Sequence, residues 1–319
     1  MNNLIDNYGR RIDYLRLSVT DRCNLRCSYC MPAEGVEYKS HYDILRYEEI
    51  RDIVEVAVDL GINKVRLTGG EPLVRPGIER LVELLSAIKG LEDISITTNG
   101  TLFAKKAVLL KKAGLKRVNI SLDTLDREKF IQISRRDEFK NVMKGIEAAF
   151  EYNYYPVKIN TVIMKGINDN ELFDFIDLIK KQPLHVRFIE LMPLGKADNK
   201  EYLSLARIKE MIEEKFKLIP TTVVSNGPAF YYKIANVAGT IGFITPMSNA
   251  FCNSCNKIRL TADGKIKPCL FTDKEIDIKT GEKINKEVIR QKLIEAVKTK
   301  PYTHQTKADT QRDMNQIGG

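Results

Sequence analysis

The chain has 319 residues, 43% of them apolar, and a formal net charge of +9. That length can bury a large core without covalent staples, so a small disulfide scaffold is excluded. No stretch approaches the roughly 18 unbroken apolar residues of a membrane span. Residues 1–11 are polar and charged, without the apolar run of a signal peptide, so a cytoplasmic location is expected. No zinc-finger, RRM or aromatic–basic pattern marks a nucleic-acid binder.

In chain order, residues 12–19 read as a strand, 47–60 as a helix, 64–68 as a strand and 78–88 as a helix. Strands at 93–98, 117–122, 156–164 and 185–192 follow, with helices at 103–113, 141–152 and 170–181 between them. Strand–helix alternation with short connections implies a parallel sheet. The fold class is therefore α/β. Six such units are too few to close an eight-stranded barrel, so a partial (β/α)6 barrel of the TIM type is expected. Past residue 192 the pattern changes to a helix at 205–216, a turn at 225–228, β-like runs at 229–234 and 240–244, and a helix at 286–297. This reads as a smaller C-terminal α+β module, dividing the chain into 1–220 and 221–319.

Period-two alternation gives the strands one polar and one apolar face. Tyr14, Arg16 and Ser18 share a face, as do Arg66 and Thr68; Ser95, Thr97 and Asn99; Asn119, Ser121 and Asp123; and Lys158 and Asn160. Helices would cover the apolar faces, leaving a polar concave surface that holds Arg16, Arg66 and Lys158. Buried cations need counter-charges, so this surface suggests a bound polyanion.

The six cysteines fall into two incomplete sets, Cys23, Cys27 and Cys30 (C-x3-C-x2-C) and Cys252, Cys255 and Cys269 (C-x2-C-x13-C). A [4Fe–4S] cluster usually takes four cysteines, so three leave one iron open to a small molecule. Zinc competes, because C-x2-C is a common half-site. A structural zinc site needs four ligands, however, and none of His41, His185 and His304 adjoins a triad in sequence.

C-x3-C-x2-C after the first strand, with aromatic Tyr29 before the last cysteine, resembles the radical S-adenosylmethionine superfamily. There the open iron chelates the methionine moiety, and one electron cleaves the sulfonium to a 5′-deoxyadenosyl radical. Gly69-Gly70-Glu71-Pro72, after the second strand, resembles the segment that receives the methionyl ammonium. The resemblance implies a cofactor site at Tyr29, Gly70, Ser121 and Met192.

Further runs narrow the resemblance to the molybdenum cofactor biosynthesis protein A family of GTP 3′,8-cyclases. They are the segment from Leu15 to Asn24, Arg66 to Leu73, Thr97-Thr98-Asn99-Gly100, Val118 to Asp123, Arg187-Phe188-Ile189-Glu190, Cys252-Asn253-Ser254-Cys255 and the terminal Gly318-Gly319. This implies two [4Fe–4S] clusters, S-adenosylmethionine, and GTP as substrate. The ribose 3′ hydrogen is abstracted and 3′,8-cyclo-7,8-dihydro-GTP forms, the first step of molybdenum cofactor synthesis. GTP contacts fall on Arg16, Arg66, Thr97, Lys158, Lys257, Ile258 and Arg259, with the guanine on the second cluster. The family commonly has Arg where Lys257 stands. No acid–base residue is implied, but the Gly318-Gly319 tail is implied to be required. An electron donor, a downstream cyclic pyranopterin monophosphate synthase and a monomeric or homodimeric state are expected. The alternatives are a peptide-modifying radical enzyme with an auxiliary cluster and a two-cluster electron-transfer protein.

Overall fold

A computed structural model describes residues 3–223, 227–279, 285–304 and 312–318. Gly319 and the first half of the expected turn at 225–228 lie outside the described residues. The first two thirds of the chain alternate as expected: β1 (Tyr14–Ser18), α1 (Tyr47–Asp59), β2 (Lys64–Thr68), α2 (Ile78–Ser86), β3 (Asp93–Thr98) and α3 (Phe103–Lys112). Next come β4 (Arg117–Ser121), α4 (Arg127–Ser134), α5 (Phe139–Glu151), β5 (Lys158–Ile163), α6 (Leu172–Lys181) and β6 (His185–Glu190). The sequence reading lacked α4. It is only two turns long, and Asp126 starts it by accepting a hydrogen bond from Lys129 N at 2.9 Å.

The remainder forms α7 (Leu205–Glu213), β7 (Ile219–Thr221), β8 (Phe230–Lys233), β9 (Thr240–Ile244), β10 (Lys257–Leu260), β11 (Lys265–Lys267), β12 (Ile276–Asp277), α8 (Lys286–Lys298) and α9 (Met314–Ile317). Among the described residues twelve strands join one sheet, in the order β12-β11-β10-β1-β2-β3-β4-β5-β6-β9-β8-β7. The six expected strands are parallel neighbours. Two C-terminal strands lengthen this parallel run, β10 beside β1 and β9 beside β6. The C-terminal segment therefore extends both edges of the barrel. Short stretches such as Lys257–Leu260 carry too little periodicity to reveal this in sequence.

The apolar strand faces lie where alternation put them. Leu15, Leu17, Val65, Leu67, Ile94, Ile96, Val118 and Ile120 are buried in one core against the helices. α1 packs on α2 and α8, and α3 on α5. The opposite faces look into the barrel, and there Ser95, Asn119, Lys158 and Arg187 are buried. Among the described residues no helix is long and apolar enough to cross a membrane.

Candidate active site

Two cavities lie inside the barrel, and each is lined by one cysteine triad. The first, about 200 Å3, opens at the C-terminal ends of the strands, where Thr68, Ser121 and Glu190 end β2, β4 and β6. It holds Cys23, Cys27 and Cys30 together with Tyr29, Gly70, Ser121 and Met192. All four residues expected around the cofactor thus meet at the first triad. Gly69 and Gly70 pack against the segment that leads into Cys23. Gly70 N donates to Thr20 O and Glu71 N to Arg22 O, each at 2.8 Å. A Cβ on Gly70 would stand 2.4 Å from Arg22 O. Only glycine lets the two loops approach so closely.

Glu71 anchors this arrangement from below. Its carboxylate accepts from Leu73 N at 2.9 Å, Thr98 Oγ1 at 2.7 Å and Asn99 N at 2.6 Å. Burial outweighs these bonds and pushes its pKa up to about 7. Tyr29 is held from the far rim, because its hydroxyl donates to Asp123 Oδ2 at 2.8 Å. Asp123 Oδ1 accepts from Val162 N at 2.9 Å, and burial lifts this carboxyl to about 6.

The three thiols are free of disulfides. Burial first, then neighbouring negative charge, raises Cys23 to about 11 and Cys30 to about 12. Leu25 N (3.4 Å) and Asn99 Nδ2 (3.9 Å) point at Cys23 Sγ, as donors do toward thiolate ligands. Among the described residues no three His, Cys, Asp or Glu side chains are gathered to hold a single metal ion. Three free thiols around one cavity are three of the four thiolate ligands that an iron–sulfur cluster usually takes.

The second cavity, about 210 Å3, holds Cys252, Cys255 and Cys269. Arg16, Arg66, Arg187, Lys257, Arg259 and Lys300 also line it, without any Asp or Glu among the described lining residues. Strand register brings these cations together, with Arg16 opposite both Arg66 and Arg259. Burial lowers Arg16 to about 9 and Lys257 to about 8, with neighbouring arginines adding to the effect. The thiol of Cys255 moves the other way. Burial raises it, but the charges of Lys300 and Lys257 outweigh burial and hold it below its ordinary value. Lys300 is fixed nearby by donating to the carbonyls of Lys257 and Pro268, both at 2.8 Å. Arg10 braces the triad from behind, donating to Cys252 O at 2.6 Å, Pro301 O at 2.6 Å and Tyr302 O at 3.0 Å.

Of the expected substrate contacts, Arg16, Arg66, Thr97, Lys257 and Arg259 line this cavity. Lys158 does not reach its wall. It is buried at the start of β5, within 6.0 Å of the Tyr231 ring centroid. Burial and then Arg187 lower its ammonium to about 6. Ile258 alternates with Lys257 and Arg259, so its side chain turns into the hydrophobic core. Arg187 was absent from the expected contacts, although alternation with His185 and Ile189 on β6 carries the signal. Its Nε and Nη2 are buried without a hydrogen-bond partner among the described residues.

The cavities share Thr97, Asn160, Ile189 and Met192, so they are adjoining chambers. The C-terminal tail reaches between them. Met314 and Asn315 line the first chamber, and Gly318 O accepts from Arg259 Nη1 at 2.6 Å and Arg16 Nη2 at 3.3 Å.

Residues 17–179 match the Radical SAM superfamily model, and residues 184–306 match the Molybdenum Cofactor Synthesis C model. The GTP 3′,8-cyclase of Petrotoga mobilis is 51% identical over 99% of this chain and its own full length. That of Thermodesulfovibrio yellowstonii is 50% identical, over 98% of this chain and 99% of its own. Among solved structures, Streptococcus suis SuiB shares the fold, with a TM-score of 0.62 at 17% identity over 92% of this chain and 68% of its own. Membership of the radical SAM superfamily implies one [4Fe–4S] cluster and S-adenosylmethionine, which the first triad and its cavity suit. The chain belongs to the GTP 3′,8-cyclase family within that superfamily.

Proposed function

We propose that the protein cyclises GTP to 3′,8-cyclo-7,8-dihydro-GTP in molybdenum cofactor synthesis. The observation that carries this reading is the acid-free cationic chamber built around a second cysteine triad and adjoining the first. Cys23, Cys27 and Cys30 would hold a cluster that would pass one electron from a separate donor to bound S-adenosylmethionine, and the radical released by that cleavage would take the ribose 3′ hydrogen.

The chain's own residues bind and orient. Tyr29, Gly70, Ser121 and Met192 hold S-adenosylmethionine, and Asp123 keeps Tyr29 in place. Arg16, Arg66, Arg187 and Arg259 receive the triphosphate. Arginine forks suit phosphate oxygens, and an arriving anion relieves their mutual repulsion. Lys257 contributes charge without a planar fork. Lys158 supports the site from behind Arg187, and Ile258 through its backbone alone. Cys252, Cys255 and Cys269 would hold a second cluster, which would supply an anchoring site for the guanine. Fixing the nucleotide at both ends presents the ribose at the shared wall of Thr97, Asn160, Ile189 and Met192. The protein thus supplies orientation and electrostatics, and the cofactors supply the bond-breaking.

Residues 1–220 carry the first cluster and 221–319 the second. The protein acts in the cytoplasm as a monomer or homodimer. It draws electrons from a separate donor and passes its product to a cyclic pyranopterin monophosphate synthase. A peptide-modifying enzyme would have no need of six cations facing one chamber. The test is an anaerobic assay of reconstituted protein with S-adenosylmethionine, a strong reductant and GTP. The expected result is 5′-deoxyadenosine together with a cyclised nucleotide. Full clusters with no GTP-derived product would end this reading.

A further inference from the structure

We infer that Arg312 is a positioning residue for the reaction. Its double ion pair fixes the C-terminal tail so that Gly318 is delivered to Arg16 and Arg259. The inference rests on the GTP-cyclising reading of those two arginines.

Arg312 is engaged by two carboxylates at once. Its Nη1 and Nη2 meet the two oxygens of Asp263 at 3.1 and 3.0 Å. Its Nε and Nη2 meet the two oxygens of Glu275 at 2.5 and 2.7 Å. The guanidinium is only 13% exposed, and Asp263 only 8%. Two planar forks on one guanidinium define position as well as charge. Lysine could not reproduce them.

The partners tie this point to both halves of the site. Asp263 stands in the turn joining β10 to β11, four residues from Arg259 on the same strand-and-turn unit. Its other neighbours are Thr261 Oγ1, donating at 2.6 Å, and Lys39 Nζ, at 3.3 Å. Lys39 follows the first cysteine triad, and its backbone N–H donates to Asp21 at 2.7 Å. Glu275 also receives the wholly buried Lys267 at 3.2 Å, two residues before Cys269. One ionic centre therefore joins the loop after the first triad, the hairpin beside the second and the entering tail.

From Arg312 the tail has little freedom. Asp313 and Gln316 form a capping box that starts α9, and Asn315 Nδ2 donates to Asp21 O at 2.7 Å. Gly318 then arrives with a left-handed φ of 77°, where a Cβ would stand 2.2 Å from Thr68 Oγ1. Without the Arg312 contacts the tail would depend on Asn315, Ile317 and Gly318, and the residues leading into them would have to be ordered when it docks. Holding Arg312 in advance removes that requirement.

The test uses the full chain with reconstituted clusters and compares Arg312→Met with wild type. Iron content and 5′-deoxyadenosine formation should be retained, while cyclised product per 5′-deoxyadenosine falls roughly 10- to 100-fold, the scale of an ångström-level misplacement. Amide hydrogen exchange across 313–318, measured on the same holoenzyme without substrate, should speed up. Arg312→Lys should recover the ratio only in part. An unchanged product ratio with unchanged tail exchange would overturn the inference. So would iron and cleavage falling in step with product. If Arg312→Met does not fold, the Asp263→Asn/Glu275→Gln variant approaches the same contact from the other side, with the same two readouts. Wild-type protein giving no cyclised product would count against the functional reading, whereas the exchange measurement judges the tether by itself.

Discussion

Arg259 donates through Nη1 to the carbonyl of Gly318 at 2.6 Å, which joins a barrel strand to the last residue described. The glycine sits at φ 77° with Thr68 Oγ1 where a Cβ would go. Gly318→Ala combines a left-handed backbone, costing roughly 1 kcal/mol or more, with a collision against a buried hydroxyl. The expected outcome is a displaced tail, normal iron content and loss of GTP cyclisation with S-adenosylmethionine cleavage partly retained. Product and 5′-deoxyadenosine counted in the same reaction check it.

Arg187 is buried beside Arg66, with two guanidinium nitrogens lacking partners among the described residues. A buried cation held this way lowers the stability of the ligand-free fold. Arg187→Met should therefore raise thermal stability without GTP, on the scale of 1 to about 3 kcal/mol for an unsatisfied buried group. It should also weaken GTP binding by at least about tenfold. Thermal melts with and without GTP would show opposite signs. A variant less stable in both conditions would refute the account.

Lys158 is pulled from 10.5 to about 6 by burial and then by Arg187, Arg117 and Arg66. Between those values the folded protein binds fewer protons here than the unfolded chain, so this group makes stability rise with pH from about 6 upward. Below that range both states are charged and the slope vanishes. A triphosphate restores the reason to be charged. GTP binding at pH 7.5 should thus take up as much as one proton, read from calorimetry in buffers of different ionisation enthalpy. Lys158→Met should cut that uptake to the smaller share contributed by Lys257, which is held at about 8.

Tyr29→Phe removes the donor to Asp123 Oδ2 and leaves a buried carboxyl that burial already raises to about 6. The loss of one such bond is worth about 1 to 2 kcal/mol. The expected result is a KM for S-adenosylmethionine several-fold higher with unchanged iron. An unaltered KM would show that the aromatic ring alone does the positioning.

The two triads should separate under substitution. Cys27→Ser is expected to abolish S-adenosylmethionine cleavage. Cys255→Ser is expected to keep some uncoupled cleavage while losing GTP turnover. Anaerobic iron counting should fall from roughly eight per chain toward four in each case. Normal GTP turnover in Cys255→Ser protein would remove the anchoring role of the second triad.

The sequence was most legible where a period repeats. Alternation along β1 to β5 identified the inward residues Arg16, Arg66, Thr97 and Lys158, and five strands in agreement guarded against a one-residue slip. Arg187 carried the same signal on β6 but went unassigned because the tally of inward faces ended at β5. Ile258 was assigned as part of a contiguous contact run, and strand geometry separates it from its neighbours. The partnership of β10 with β1 was not legible at all. A four-residue strand has almost no period, and its partner lies 243 positions away, as the pairing of Tyr14 with Lys257 shows. Arg10 and Lys300 act through backbone carbonyls, which leave no trace in side-chain pattern.

That same pairing has a consequence for how the protein is made. While the ribosome is still extending the chain, β1 has β2 on one side and nothing on the other, because β10 has not been synthesised. The residues of the first triad and the glycine turn that packs against them all lie within the first 72 positions. They can come together early. The second triad cannot take its place until the last quarter of the chain has emerged and closed over that edge. Long-range pairing of this kind is slow to form. Assembly should therefore proceed in two stages, and a pause or truncation before residue 257 would leave a nascent chain with an uncovered strand edge.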